Sequence, residues 1–223
     1  MTLLHPPYTL WHLSYVAIGA GLAPDPEPLR IVAAVGAFFL AVGIGAHALD
    51  ELNGRPLQTR IGSGVLVWLA VLSIGGAVAI GVVSAIAYTL WLLPLVAFGG
   101  FIVCAYNLEL FGGRFHSDLW FALAWGAFPL LAGYLVCAER LTVEALLAAA
   151  FAAFLSLAQR RLSTPVRKVR RRVASVAGTV ELRDGSREEL TAQSLTAAPE
   201  GALRAMTFAV VALAASLLVL RLF

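Results

Sequence analysis

The sequence predicts an all-α integral membrane protein, a bundle of about seven transmembrane helices with its N-terminus in the cytoplasm. Three observations carry this expectation. Hydrophobic residues fill 60% of the 223 positions and charged residues only 13%, with a mean hydropathy of +0.86, outside the range of soluble globular domains. Apolar segments near 20 residues, enough helix to cross about 30 Å of hydrocarbon, recur along the chain. Finally, the basic residues gather almost entirely on one side of those segments.

The apolar segments fall at about 8–24, 29–49, 62–83, 86–108, 119–138, 142–159 and 202–222. The first follows MTLLHPPY, has no basic residues before it and leads into acidic, proline-rich APDPEP, so it is expected to remain in the mature chain and not to act as a cleaved signal. The boundary between the third and fourth is weakly marked, because SAIAYT is a poor loop sequence. No ten-residue alternating segments occur, which excludes transmembrane strands. Cys104 and Cys137 lie inside apolar segments, where a thiol behaves as a small hydrophobe.

This gives a six-helix transmembrane region over 1–160, a basic connection over 161–198 and a C-terminal transmembrane helix over 199–223. Asp184-Gly185, between TVEL and REEL, predicts a short hairpin within the connection, and Pro199 suits the first turn of the last helix. Only Arg30, Arg140 and Arg221 lie on one side of the seven spans, while 13 of the 16 Lys and Arg lie on the other. The positive-inside rule places that basic side in the cytoplasm, and a prokaryotic-type plasma membrane is the expected location. Anionic lipid head groups are the expected partners of the basic segment 160–172, which opens RRLSTPVRKVRRR. No nucleic-acid partner is expected, and the oligomeric state is not legible.

Polar chemistry concentrates on the same side. His47, Asp50 and Glu51 stand at helical spacings of three and four, so all project from one face and could share a ligand. Glu109, His116 and Asp118 form a second group, with Tyr106 and Asn107 one turn back, and His12 lies at a similar depth on the first helix. Ionisable groups beside hydrocarbon are costly and usually face a cavity or one another, so a shared polar site is expected. His12, His47, Asp50, Glu51, Glu109 and His116 are the candidate metal ligands; imidazole with carboxylates suits zinc, iron or manganese, whereas carboxylates alone suit magnesium. Asp50, Glu51, Glu109 and Asp118 are the candidate catalytic acids and bases, and Asn53, Arg55, Arg60, Tyr106, Asn107 and Arg114 the candidate substrate-binding residues, the arginines suited to phosphate. The small-residue patterns GIGA, GSG, GG and AFGGF are expected at close helix contacts. Trp120, Trp125 and Tyr134 suit helix packing, an interfacial belt or an aromatic wall for a prenyl chain.

Several stretches, YTLWHLSYVAIGAGLA, GRPLQTRI after the second helix and YNLELFGGRFHSDLWFALAWGAFPLLAGYL, resemble in order and spacing the UbiA superfamily of membrane prenyltransferases over about residues 8 to 160. The resemblance implies a helical membrane enzyme in which two Asp-rich motifs hold magnesium ions, these bind a prenyl diphosphate, and its allylic cation alkylates an acceptor. The chain departs from the family pattern in three ways. HALDELNG stands where a motif similar to NDxxDxxxD is usual, so His47 replaces the usual Asn-Asp. No carboxylate stands near LAQRRLSTPVRKVRRR, where the second motif belongs, and about seven helices replace the usual nine.

The expectation is therefore a divergent metal-dependent membrane enzyme acting on an isoprenoid or other lipid at the cytoplasmic face, by prenyl transfer from a prenyl diphosphate. Two alternatives stand beside it. One is a His/carboxylate enzyme using zinc, iron or manganese for redox or hydrolytic work on a lipid; the other is a non-catalytic lipid-binding protein on the same scaffold.

Overall fold

The structure, a computed structural model, describes residues 3–223. Seven helical rods follow one another in the described chain: α1 (Pro6–Leu22), α2 (Pro28–Leu52), α3 (Ser63–Ala87), α4 (Leu92–Asn107), α5 (Asp118–Ala138), α6 (Val143–Arg172) and α7 (Ala192–Leu222). Five of them, α2, α3, α5, α6 and α7, are long and apolar enough to cross a membrane. The other two are shorter, at 17 residues for α1 and 16 for α4, so the seven helical rods expected are present and five of them have the length and apolarity of a span.

The chain writes several of these boundaries plainly. Proline occupies the first turn of α1 and of α2, where its missing N–H costs nothing. Ser117 caps α5 by accepting from the Trp120 amide, and α5 ends on Glu139 in the left-handed conformation. The weakly marked boundary in SAIAYT is real: α3 stops at Ala87 and a turn through Tyr88–Trp91 leads into α4.

Both helices flanking the basic connection run further than expected. α6 continues through Pro165 to Arg172, and α7 begins at Ala192 behind a reciprocal Thr191–Ser194 capping box. Pro199 therefore sits inside α7, not in its first turn. The connection shrinks to a two-stranded antiparallel hairpin, β1 (Thr179–Glu181) with β2 (Arg187–Glu189), turning at Gly185 with φ +85°. Asp184 accepts from the Ser186 amide and hydroxyl across that turn, which holds its carboxyl below the usual range.

At the centre is α1, packed chiefly against α5 and α7. Its contact with α5 is backbone to backbone: a Cβ at Gly19 would lie 2.0 Å from the Leu130 carbonyl oxygen, and one at Gly133 would lie 2.2 Å from that of Val16. Trp11, Tyr15, Leu130 and Val210 bury around this crossing. Of the small-residue patterns expected at contacts, Gly45 and Gly99 do meet neighbours closely, whereas Gly62, Gly64 and Gly75 face open space. Cys104 and Cys137 are free thiols.

Candidate functional site

Two helices interrupt their regular hydrogen bonding, and both interruptions face the same place. α2 widens into a π turn over Phe39–Gly45 and α5 into another over Leu123–Ala127. A π turn inserts an extra residue and disturbs the carbonyl ladder, which is why such turns recur at functional sites. Here a histidine answers each: His47 Nδ1 lies 3.0 Å from the Val42 oxygen, and His12 Nδ1 lies 2.6 Å from the Trp125 oxygen. A carbonyl can only accept, so Nδ1 carries the proton in both rings and Nε2 presents a lone pair. His12 Nε2 is buried with no hydrogen-bond partner among the described residues.

An aromatic chain links these histidines to the rest of the cluster. The Tyr8 ring stands edge-on to both, with centroids 4.3 Å from His12 and 5.9 Å from His47. Phe121 stacks parallel to Trp125 at 5.8 Å, Tyr106 lies 4.3 Å from Trp125, and His116 stacks on Tyr106 at 4.4 Å. His116 Nδ1 also sits 3.2 Å from the Tyr106 carbonyl oxygen.

Positive charge arrives from α6. Arg160 donates to Asp118 at 2.7 Å and to the Tyr106 hydroxyl, with its guanidinium 5.1 Å from the centre of the Phe121 ring. Arg167 and Arg171 follow it at spacings of seven and four, which places all three on one face of α6. Arg167 is within electrostatic range of Tyr8, Tyr106 and Arg160, while Asp50, half-buried at the end of α2, is within range of Arg167 and Arg171. The site thus gathers Tyr8, His12, His47, Asp50, Tyr106, His116, Asp118 and Trp125 from four helices and the loop before α5, and three arginines from a fifth helix.

Other residues singled out from the sequence hold structure together. Glu51 is fully buried, and its carboxylate accepts from the Leu57 amide at 2.9 Å, the Thr59 amide at 2.6 Å and the Thr59 hydroxyl at 2.9 Å. Arg55 closes the other side of the same loop by donating to the carbonyls of Thr59 and Ile61 and to the Ser63 hydroxyl. GRPLQTRI is therefore folded around an internal acid and an internal base. Asn53 donates to the Asn107 carbonyl, and Asn107 donates back to Val103 within α4. Arg60 and Arg114 are exposed, and Glu109, also exposed, comes only within 3.9 Å of His116.

These placements bear on a metal centre. Among the described residues no three His, Cys, Asp or Glu side chains stand close enough to share an ion. Glu51 is committed to loop amides and Asp118 to Arg160, which leaves Asp50 as the carboxylate of the cluster without a bonded partner among the described residues. One uncommitted carboxylate does not fit a site for two magnesium ions, each of which takes oxygen ligands from carboxylates as well as from the substrate phosphates.

Next to the polar cluster lies an apolar cleft between α2, α3, α4 and α5, half open and with a cavity volume of about 110 Å³. Small residues such as Ala37, Ala41, Ala77 and Gly99 form much of its wall. Val42 and Trp125, whose carbonyls hold the two histidines, also line it. No family model, curated protein or solved structure matches the chain.

Proposed function

We propose that the protein is a membrane enzyme acting on an isoprenoid or similar lipid with a phosphate head. The chain would lie in the apolar cleft and the head among Arg160, Arg167 and Arg171. One observation carries this reading: Val42 and Trp125 belong at once to the cleft wall and to the histidine cluster, so one amphiphile could occupy both. Arginines suit the head because a guanidinium meets phosphate through paired, charge-assisted hydrogen bonds.

The reaction we infer is prenyl transfer, the activity that the resemblance to membrane prenyltransferases implies. The bond from prenyl C1 to the bridging oxygen breaks, with its electron pair leaving on the diphosphate. A nucleophilic atom of the acceptor bonds C1, and the proton it loses passes to the Asp50 carboxylate. In this scheme the three arginines offset the charge of the departing diphosphate. We also place this end of the bundle in the cytoplasm, on the strength of the basic asymmetry.

A second reading keeps the binding and drops the chemistry. It is favoured by the commitment of Glu51 and Asp118 to protein partners, which leaves few free acids. The test incubates purified protein in liposomes with farnesyl diphosphate and a membrane lipid extract as acceptor source, and measures both bound farnesyl diphosphate and diphosphate release. Release that falls sharply in Asp50→Asn supports prenyl transfer. Binding without release favours the second reading, and absence of binding overturns both.

A further inference from the structure

α6 carries a second row of basic residues, on the side away from the histidine cluster. Its buried positions are Ala145, Ala149, Ala152 and Ser156, and Arg160, Arg167 and Arg171 continue that inward face. Leu147, Phe151 and Phe154 stand on the opposite stripe, and steps of three and four residues carry the same stripe on to Arg161, Lys168 and Arg172. The three apolar residues are 68%, 49% and 72% exposed by the chain, so in a bilayer they face lipid. Arg161, Lys168 and Arg172 are exposed as well. One stripe of the helix is thus apolar along most of its length and basic at its end.

The change of character falls where the hydrocarbon stops. At about 1.5 Å per residue a helix crosses about 30 Å of hydrocarbon in about 20 residues, so a span that begins at Val143 leaves the core near residue 163. Lys168 then stands about 7.5 Å beyond it, in the head-group layer. Arg161 lies just inside and reaches the same layer by extending its side chain, as long basic residues at the ends of spans do. Arg172, about 13.5 Å beyond, reaches back toward it.

The charges of this row are also uncommitted. Arg160 is paired with Asp118 at 2.7 Å, and Arg170 with Glu200 on α7 at 2.9 Å. Among the described residues Arg161, Lys168 and Arg172 form no ion pair.

We infer that the outward row Arg161, Lys168 and Arg172 is a docking surface for anionic phospholipids of the leaflet at this end of the bundle. The lipid phosphate meets the row, and the acyl chains run along Leu147, Phe151 and Phe154 of the same stripe. That continuity selects a phospholipid over a soluble acidic protein, which could match the charges but not cover the apolar stripe leading to them. The basic segment is therefore divided between two faces of one helix, and the outward one works whatever the cleft binds.

The experiment extracts the full-length protein from bilayers of phosphatidylcholine and phosphatidylglycerol in equal parts and counts the lipids that stay bound by native mass spectrometry. Wild type should retain phosphatidylglycerol preferentially, and each outward charge removed should lower that preference about fivefold. Arg161→Gln with Lys168→Gln should therefore lower it about 25-fold, whereas Arg161→Lys should preserve it. Arg183→Gln with Arg187→Gln takes the same charge from the hairpin and should leave the preference within about twofold. Equal losses in the two double variants would reduce the effect to net charge and overturn the docking surface. A loss confined to Arg167→Gln with Arg171→Gln would place the lipid on the inward face and overturn it too. No preference in wild type would overturn it and turn the search toward an acidic protein as the partner of the row.

Discussion

Arg30 and Arg160 lie outside the lining of the apolar cleft, Arg30 one turn before Ala33 and Ala34 of its wall and Arg160 beside Tyr106 and Phe121, and they differ in what surrounds them. Arg30 is held by two carboxylates, a carbonyl and an aromatic face, so positive charge is matched where it stands. Arg160 has one carboxylate, Asp118, and the Tyr106 hydroxyl, and Arg167 and Arg171 follow it on the same face. The first arrangement fastens helices. The second leaves an excess of positive charge beside buried histidines and an apolar channel, which is the condition for attracting an anionic head group from outside the chain.

The most direct way to break this contrast is Arg160→Ala. Charge-assisted hydrogen bonds contribute about 1.5–3 kcal/mol each, so affinity for farnesyl monophosphate should fall about tenfold to hundredfold, with the melting temperature in detergent little changed. Arg30→Ala should do the reverse. It leaves the Val136 carbonyl without its side-chain donor while the half-exposed Glu27 and Glu139 turn to water, costing about 1–3 kcal/mol of stability seen as a lower melting temperature, while binding of short prenyl phosphates persists.

Two neighbouring acids sharpen the same distinction on a smaller scale. Glu51→Gln presents an amide N–H₂ to a loop amide that needs an acceptor, so it should cost about 1–3 kcal/mol of stability. Asp50→Asn should leave the stability within about 0.5 kcal/mol of wild type and suppress diphosphate release. A wild-type melting curve for Glu51→Gln would show that the loop does not depend on this acid. The smallest effect expected is that of salt: affinity for the phosphate head should weaken only a few-fold between low and physiological ionic strength, because Arg160 is partly buried.

Asp50 and Glu51 also show where sequence reasoning stops. Both carboxylates are visible as a polar burst at the end of a greasy helix, and spacing predicts a shared face with His47, whereas the structure turns Glu51 to the amides of the following loop and leaves Asp50 toward Arg167. Which one the following loop would consume depends on how residues 53–62 fold back, and nothing in ELNGRPLQT states that. Membrane insertion, the helical rods and the hairpin at Asp184-Gly185 were legible because hydropathy and turn chemistry are local. The basic run 160–172 is legible as a binder of lipid head groups or a diphosphate, but its helical face is not, because the apolar run ends near 159 whereas the helix continues to Arg172. Carrying the helical period about three turns further aligns Arg160, Arg167 and Arg171. The π turns left no signal, since FLAVGIG and LAWGA are as apolar as the regular helix around them.

The central claim, one amphiphile with its head at Arg160 and its tail in the apolar cleft, is tested most directly by photocrosslinking. A farnesyl monophosphate carrying a diazirine at its terminal isoprene unit is bound to the protein in nanodiscs, irradiated, and the labelled peptides are mapped by mass spectrometry. The account predicts adducts on Leu92, Leu95, Val136 and Ala34 in the lining of the cleft. Labelling of exposed outer residues of α3 such as Trp68 and Leu72, in place of that lining, would contradict it.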